Sequence, residues 1–483
     1  MNVLFITLDQ FRFDNLDRPL VKTPSLDALR SESVTFRRHY SQAAPCAPGR
    51  AALYTGTYQM NNRVVANGTP LDDRFDNVAR LGKRAGYRPT LFGYTDQGLD
   101  PREAIGPDDP RLNYYDGILP GFEEGVWLPE DQGPWRTWLS ENGFDPGQSY
   151  IEALENEPNR PAEFSLASFL TNELLSWLAQ NDSGWFVHLS HLRPHSPYAA
   201  AGHYSQMYDP ADCEPGITPT EDPHPLHAAA MELPMTSAPK ADDAQRALRA
   251  QYYGMVSEVD FQVGRVIEAL RESGEWENTI VILGADHAEQ LCDHGLVEKL
   301  GFFEQSYHVP LIVRDPRFPE QFGTDIDQFT ENVDVLPTLA TMLDQPIPSQ
   351  VDGRSLQPFL QGDEPLWWRN AAHYEWDWRY LFIGVDGGGW PEDRFLERQN
   401  LAVIRDERGA YVHFGDGTWL MFDLVADPTW RTTSTDPMLI APYAQEMLTW
   451  RQEHLDRTLT GMLLSPERKG RWPSRVSAVG PSR

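Results

Sequence analysis

Thr279-Ile280-Val281-Ile282-Leu283-Gly284-Ala285-Asp286-His287 is a run of β-branched and apolar residues that ends in a carboxylate and an imidazole. Apolar at successive positions, it suits a strand buried in a parallel sheet with helices on both sides. In open α/β sheets ligands gather beyond the carboxyl ends of the strands, so Asp286 and His287 stand where chemistry is done. Immediately upstream, residues 242–273 place Tyr252, Val256, Val259, Val263, Val266 and Leu270 at helical spacing before Gly274. Such a stripe is a packing face. The chain opens in the same way, with Val3-Leu4-Phe5-Ile6-Thr7-Leu8 reading as a buried strand that delivers Asp9-Gln10 to its end.

Between these two strands the pattern alternates. Pro24 starts a helix that runs to about Ser33, residues 34–40 read as a strand, and 77–85 as a helix stopped by Gly86. Residues 89–93 form a strand with Tyr94, Thr95 and Asp96 at its carboxyl end. Residues 97–162, rich in Pro, Gly and Trp and weak in periodicity, read as an elaborated loop region over the sheet. A helix over 165–180 and a strand over 185–189 lead into Ser190-His191-Leu192-Arg193-Pro194-His195. Strands alternating with helices predict an α/β fold with a mostly parallel sheet sandwiched by helices. Past residue 365 the texture changes to short strands over 401–405, 410–414 and 419–423 joined by turn sequences, an antiparallel meander followed by a helix over 442–459. The expected units are an α/β domain over 1–365 and a smaller antiparallel-sheet subdomain over 366–483.

The 483 residues carry 71 acidic and 41 basic side chains, a net charge of −30. That balance argues against a nucleic-acid partner, which needs a basic footprint. It also repels anions at long range, so a site for an anionic substrate must concentrate cations of its own. Three cysteines, Cys46, Cys213 and Cys292, cannot build a paired disulfide framework and fit a reducing compartment. Met1 to Leu8 has no basic leading region or cleavage site, and no window approaches the ~20 apolar residues of a membrane helix. The expectation is a cytoplasmic protein with no membrane partner.

The remaining chemical stretch is Pro45-Cys46-Ala47-Pro48-Gly49-Arg50, followed at once by Ala51-Ala52-Leu53-Tyr54-Thr55-Gly56. It places Cys46 after a polar loop and at a helix start, tied to Arg50, as expected of an exposed nucleophile. Cys-x-Pro-x-Arg followed by a short helix and Thr-Gly resembles the signature of the formylglycine-dependent sulfatases and the phosphonate monoester hydrolases of the alkaline phosphatase superfamily. Ala285-Asp286-His287-Ala288-Glu289-Gln290-Leu291-Cys292-Asp293-His294 resembles the Ser-Asp-His-Gly-Glu-x-Leu-Gly-x-His block of the same family. Gln10 after Asp9, Met60-Asn61-Asn62-Arg63, Asn67, Arg193-Pro194-His195, Tyr374-Glu375-Trp376-Asp377 and Asp456-Arg457-Thr458-Leu459-Thr460 resemble the phosphonate monoester hydrolases and their close arylsulfatase relatives.

The resemblance implies an alkaline-phosphatase-like fold and a role for each matching residue. Asp9, Asp286 and His287 are metal ligands together with a formylglycine made from Cys46 by a formylglycine-generating enzyme. Arg50 orients the aldehyde hydrate. Asn67, His195 and Lys299 hold the non-bridging oxygens and the leaving group, with Gln10, Tyr94 and Thr95 as further substrate contacts. The carboxylates suit calcium or manganese, and the imidazole tilts the choice to manganese. The implied reaction is hydrolysis of a small, singly charged ester: one hydroxyl of the aldehyde hydrate attacks sulfur or phosphorus, and loss of the second hydroxyl's proton releases the product. Sulfate monoesters are the first expectation and phosphonate monoesters or phosphodiesters the alternative. Asp96 departs from the pattern, standing where the phosphonate enzymes have a neutral hydroxyl residue and disfavouring a doubly charged substrate. Ala288 and Cys292 replace glycines. The 213–243 stretch is shorter than in phosphonate monoester hydrolases, which leaves open whether the expected homo-oligomer, anticipated from exposed Trp-rich loops, is a dimer or a tetramer. A metal-dependent phosphatase with a Ser or Thr nucleophile is disfavoured by the cysteine, and a purely structural metal site would require Cys46 for folding.

Overall fold

A computed structural model of the chain describes residues 1–379 and 398–455. Eight strands form the large sheet: β1 (Asn2–Leu8), β2 (Val34–Tyr40), β4 (Pro89–Gly93), β5 (Glu123–Trp127), β6 (Phe186–His191), β7 (Thr279–Gly284), β8 (Leu311–Arg314) and β9 (Thr324–Glu331), with β3 reserved for a second sheet. Their order is β5-β4-β6-β1-β7-β8-β2-β9, and every pair is parallel except those that β8 makes with β7 and β2. The first and the best-marked strands of the sequence, β1 and β7, lie side by side at its centre, Val3 opposite Ile280 and Phe5 opposite Ile282.

Successive side chains leave a strand on opposite faces, and here each face has its own core. Leu4, Ile6 and Leu8 of β1 and Val281 and Leu283 of β7 pack under the long helix Asp242–Glu272. Val3, Phe5, Ile280 and Ile282 pack on the other side against the helices Cys46–Thr55, Val78–Arg84 and Val335–Met342. Each fully buried aliphatic contributes about 1.5–3 kcal/mol, which makes this two-sided burial the main force that aligns the strand ends carrying Asp9 and Asp286.

The second sheet runs β13 (Trp419–Asp423), β12 (Gly409–Phe414), β11 (Asn400–Arg405), β10 (Ala372–Asp377) and β3 (Ala43–Ala44). Its four C-terminal strands form the antiparallel meander, while β3 pairs in parallel with β10, Ala43 opposite Glu375 and Ala44 opposite Trp376. The smaller sheet thus grips the two residues that lead into Pro45-Cys46.

Several expectations need correction. The 97–162 region is not merely loop: it holds the edge strand β5 and the helices Gly133–Glu141 and Tyr150–Glu155. β5 is half-exposed and reads Glu-Glu-Gly-Val-Trp, so it lacks the apolar run that marks a buried strand. Of the tryptophans in 97–162, Trp135 is fully buried and Trp127 and Trp138 are half-buried, and among the described residues only Trp367 and Trp419 are exposed, so the expected exposed Trp-rich loops are not found there. The final helix begins at Pro437, capped by the Asp436 side chain on the Met438 amide, and runs to Glu453. It stops there with His454 as its C-cap, short of the expected 459, and the Asp456-Arg457-Thr458-Leu459-Thr460 segment lies outside the described residues. Among the described residues, no helix is long and apolar enough to cross a membrane.

Candidate active site

Cys46 is the first residue of the helix Cys46–Thr55 and is buried, only 4% exposed, which corrects the expectation of an exposed nucleophile. Pairing of Ala43–Ala44 with β10 draws the preceding loop into the interior, and Gly49 lets the helix approach the end of β7. A Cβ on Gly49 would stand 2.5 Å from the Asp286 carbonyl oxygen. Burial, reinforced by the charge of Asp9, pushes the Cys46 thiol well above its ordinary pKa, so the unmodified side chain is a poor nucleophile here.

Arg50, one turn further along the helix, is fully buried and spends its guanidinium on five hydrogen bonds. It donates to Asp286 Oδ2 at 2.8 Å, to Asp9 Oδ2 at 3.1 Å, to Ser190 Oγ at 2.8 Å, to the Tyr94 carbonyl at 3.0 Å and to the Tyr54 hydroxyl at 3.2 Å. The Tyr94 hydroxyl also donates to Asp9 Oδ2. One arginine therefore fixes the ends of β1, β4, β6 and β7 relative to one another.

Asp9, Cys46, Asp286 and His287 each turn one donor atom to a common point, all four within 4.8 Å of one another and all buried. His287 Nδ1 lies 3.1 Å from the Ala288 carbonyl. A carbonyl only accepts, so Nδ1 carries the proton and the lone pair is on Nε2. That lone pair faces Cys46 Sγ at 3.1 Å, Asp9 Oδ1 at 3.5 Å and Asp286 Oδ2 at 3.7 Å. Asp9 Oδ1 is buried without a hydrogen-bond partner. Burial and the charge of Asp9 raise Asp286 to about 7, while burial lowers His287 to about 4 and keeps it neutral. An orphaned carboxylate oxygen, a second carboxylate and an imidazole lone pair aimed at one another fit a divalent cation.

Near Asp9 stand a charged Lys299 and a neutral His195. Lys299 Nζ donates to His195 Nε2 at 2.5 Å and to Gln10 Oε1 at 3.0 Å, and it pairs with Glu298 at 3.1 Å. His195 Nδ1 donates to the Ser196 carbonyl at 2.9 Å, which leaves Nε2 as the acceptor. Burial alone would lower the Lys299 pKa, but Cys46, Glu298 and Asp9 around it hold it well above the ordinary range. Burial, then the Lys299 charge, lowers His195. Gln10, at a φ of 69°, is held in place by Glu289 as well as Lys299.

Asn67 lies at the mouth. Its Oδ1 accepts the Ala47 amide at 3.0 Å, and beside it opens a groove of about 740 Å³ walled by Arg63, Glu375, Asp377 and Arg451. The structure brings Asp9, Gln10, Cys46, Arg50, Tyr94, His195, Asp286, His287 and Lys299 together, with Asn67 at the edge. Thr95 does not join them. Its hydroxyl donates to the Gly117 carbonyl at 2.7 Å and accepts the Leu119 amide at 2.8 Å, so it organises a loop. The next residue, Asp96, faces the site instead, 3.9 Å from Arg50 Nε. Ser190 and Glu298 were missed by sequence reasoning. Ser190 lies at the carboxyl end of β6, where the strand-end rule that selected Asp9 would have found it, and Glu298 adjoins Lys299.

Comparison with known proteins agrees with this geometry. The model of the family described as Sulfatase matches residues 1–345, and one described as N-sulphoglucosamine sulphohydrolase, C-terminal, matches 292–447. The multifunctional alkaline phosphatase superfamily protein PehA of Trinickia caryophylli is 36% identical, over 96% of this chain and 98% of its own. The choline-sulfatase of Rhizobium meliloti (strain 1021) is 28% identical, over 83% of this chain and 82% of its own. Among solved structures, the phosphonate monoester hydrolase of Agrobacterium radiobacter superposes with a TM-score of 0.89 at 39% identity, covering 98% of this chain and 100% of that one. The phosphonate monoester hydrolase SpPMH from Silicibacter pomeroyi gives a TM-score of 0.88 at 34% identity, covering 99% and 100%. A metal ion and a formylglycine are implied by this ancestry. The chain belongs to the sulfatase family, within the alkaline phosphatase superfamily, and is a hydrolase acting on sulfate or phosphonate esters.

Proposed function

We propose that the chain hydrolyses small, singly charged esters at a tetrahedral centre, phosphonate monoesters and phosphodiesters first, with aryl and alkyl sulfates as the second reading. The observation that carries it is the buried Lys299–His195 pair beside the Asp9, Cys46, Asp286 and His287 cluster. In a protein of net charge −30, this is a local positive pole suited to a single negative charge. The order differs from the sequence expectation because the two phosphonate monoester hydrolases match nearly end to end at 39% and 34% identity. The choline-sulfatase supports the second reading at 28% identity.

Asp9, Asp286 and His287, with residue 46, would hold a divalent cation, manganese or calcium, and residue 46 would be formylglycine made by a formylglycine-generating enzyme. When present, the cation supplies positive charge at the reacting centre and the aldehyde hydrate supplies a hydroxyl nucleophile. The rest falls to ordinary side chains. Arg50 orients Asp9 and Asp286 and opposes the upward shift that burial and the charge of Asp9 impose on Asp286. Lys299, protonated and held by Gln10 and Glu298, donates hydrogen bonds to a non-bridging oxygen and is the proton source for the leaving oxygen. His195 Nε2 accepts from Lys299 and steers it. Asn67 aligns the ester at the mouth, and the groove beside it receives the leaving group. Tyr94 positions Asp9.

The reading takes 1–365 as the catalytic unit and 366–483 as a C-terminal unit, supported by the second sheet's four strands from Ala372 onward. It places the enzyme in the cytoplasm, which suits three buried free cysteines. It also takes the enzyme as a homo-oligomer, in which the exposed Leu366 and Trp367 would be covered.

The test is kcat/KM for an aryl phosphonate monoester and an aryl sulfate, using protein co-produced with a formylglycine-generating enzyme, alongside a Cys46→Ala control. Turnover of the phosphonate exceeding that of the sulfate, with a folded and inactive control, is expected. A sulfate advantage reverses the order, and an active control refutes the role of residue 46.

A further inference from the structure

Asp96 is 6% exposed and its backbone sits at a φ of 52°, in the left-handed region that side chains other than those of Gly, Asn and Asp rarely enter. The conformation turns the side chain inward while its neighbour Thr95 turns to the loop over 117–119. Its carboxylate accepts no hydrogen bond from any described residue, and its one ionic neighbour is Arg50 Nε at 3.9 Å, an atom already bonded to Asp286 Oδ2 at 2.8 Å. Asp96 is not among the four residues that share the candidate cation point. A carboxyl nine-tenths buried, turned inward by a left-handed backbone and given no protein donor, serves no packing or ladder purpose. Burial, opposed by Arg50 and reinforced by the charges of Asp9 and Asp286, raises its pKa to about 7, so above that pH it is a negative wall beside the anion site. The field it adds is felt at Cys46, whose thiol is raised first by burial and then by Asp9, with Asp96 a further contributor.

We propose that Asp96 is a charge selector: it sets the preference of the site for esters with one negative charge and rejects doubly charged phosphate monoesters. The inference rests on the proposed function and deepens it by naming the excluded class. One charge on the tetrahedral group is balanced by Lys299 and by the cation the cluster fits. A second charge has no free donor to meet it on the Arg50 side, because the guanidinium is fully committed to Asp9, Asp286, Ser190, Tyr54 and Tyr94. There it meets Asp96 in a region of low dielectric, where repulsion between like charges is strong.

The experiment uses manganese-loaded, full-length enzyme and Asp96→Asn. Asparagine is isosteric and tolerates the left-handed backbone, so the loop keeps its shape. At pH 8.5, kcat/KM is measured for 4-nitrophenyl phosphate, which carries two charges, and for 4-nitrophenyl sulfate and an aryl phosphonate monoester, which carry one. We expect the ratio of doubly to singly charged substrate to rise about tenfold or more in the variant. A merely structural role would lower all three rates together and leave the ratio unmoved, and a ratio changed by less than about twofold overturns the proposal. Calorimetric binding of methyl phosphate and dimethyl phosphate to both proteins separates this failure from failure of the proposed function. If no ester is turned over, the hydrolase reading falls, and a selective gain in methyl phosphate affinity of about tenfold still supports the charge selector while its absence refutes it.

Discussion

Replacing Arg50 by lysine isolates what the guanidinium does, since charge and approximate length survive while the planar fork is lost. The arginine makes five hydrogen bonds to groups from four directions. An ammonium has three donors at a single point, so at least two of these partners lose their bond, and Asp9 Oδ2 and Asp286 Oδ2 compete for what remains. A hydrogen bond to a charged group is worth about 1.5–3 kcal/mol, so two of them amount to about 3–6 kcal/mol. Part of this disappears from stability because freed carboxylates repel each other in the empty site, and part from cation affinity because Asp9 and Asp286 are no longer aligned. Each 1.4 kcal/mol is a factor of about ten, so even half the total lowers manganese affinity by about tenfold to a hundredfold. The assay is calorimetric titration of metal-free Arg50→Lys and parent protein with manganese, with thermal melts of both forms. A variant that binds manganese within about threefold of the parent and melts at the same temperature would refute the claim that this residue organises the cluster.

Two further outcomes test other links. Gly49→Ala places a Cβ 2.5 Å from the Asp286 carbonyl oxygen, so the helix must move away from β7; we expect a melting temperature several degrees lower and a loss of metal affinity, and unchanged values would show that the close approach is unimportant. Glu258, fully buried in the long helix, is raised to about 8, first by burial and then by the charge of Glu157. A carboxyl with a folded-state pKa above its unfolded value destabilises the fold progressively as pH rises between the two. Glu258→Gln therefore melts close to the parent at pH 5 and increasingly above it toward pH 8, and a difference that stays constant over that interval contradicts the assignment.

The local alphabet made much of the fold readable. Val3 to Leu8 and Thr279 to Gly284 are apolar on both faces, and such runs fit only a covered sheet, so Asp9, Asp286 and His287 could be placed at strand ends before any contact was known. The helix over 242–272 and the meander over 400–423 carry strong periods and clear turns, and both were found within a residue or two. Half-exposed edge strands are different. β5 and β9 satisfy the backbone of a neighbour rather than a hydrophobic period of their own, so Glu123–Trp127 passed as loop and Thr324–Glu331 left no signal.

What the chain determined alone was chemistry at the ends of locally encoded elements: two carboxylates, an imidazole, a cysteine and an arginine at helical spacing from it. What required the tertiary structure was their exposure and aim. Cys46 is buried because Ala43–Ala44 pairs with β10, more than three hundred residues away, and no local pattern encodes a partner at that distance. The choice between Thr95 and Asp96 is finer still. Neighbouring residues point in different directions, and one backbone angle of +52° decides which of them enters the site. That angle is stabilised by the loop it joins and by the close packing around Arg50, which exist only once the strands have come together.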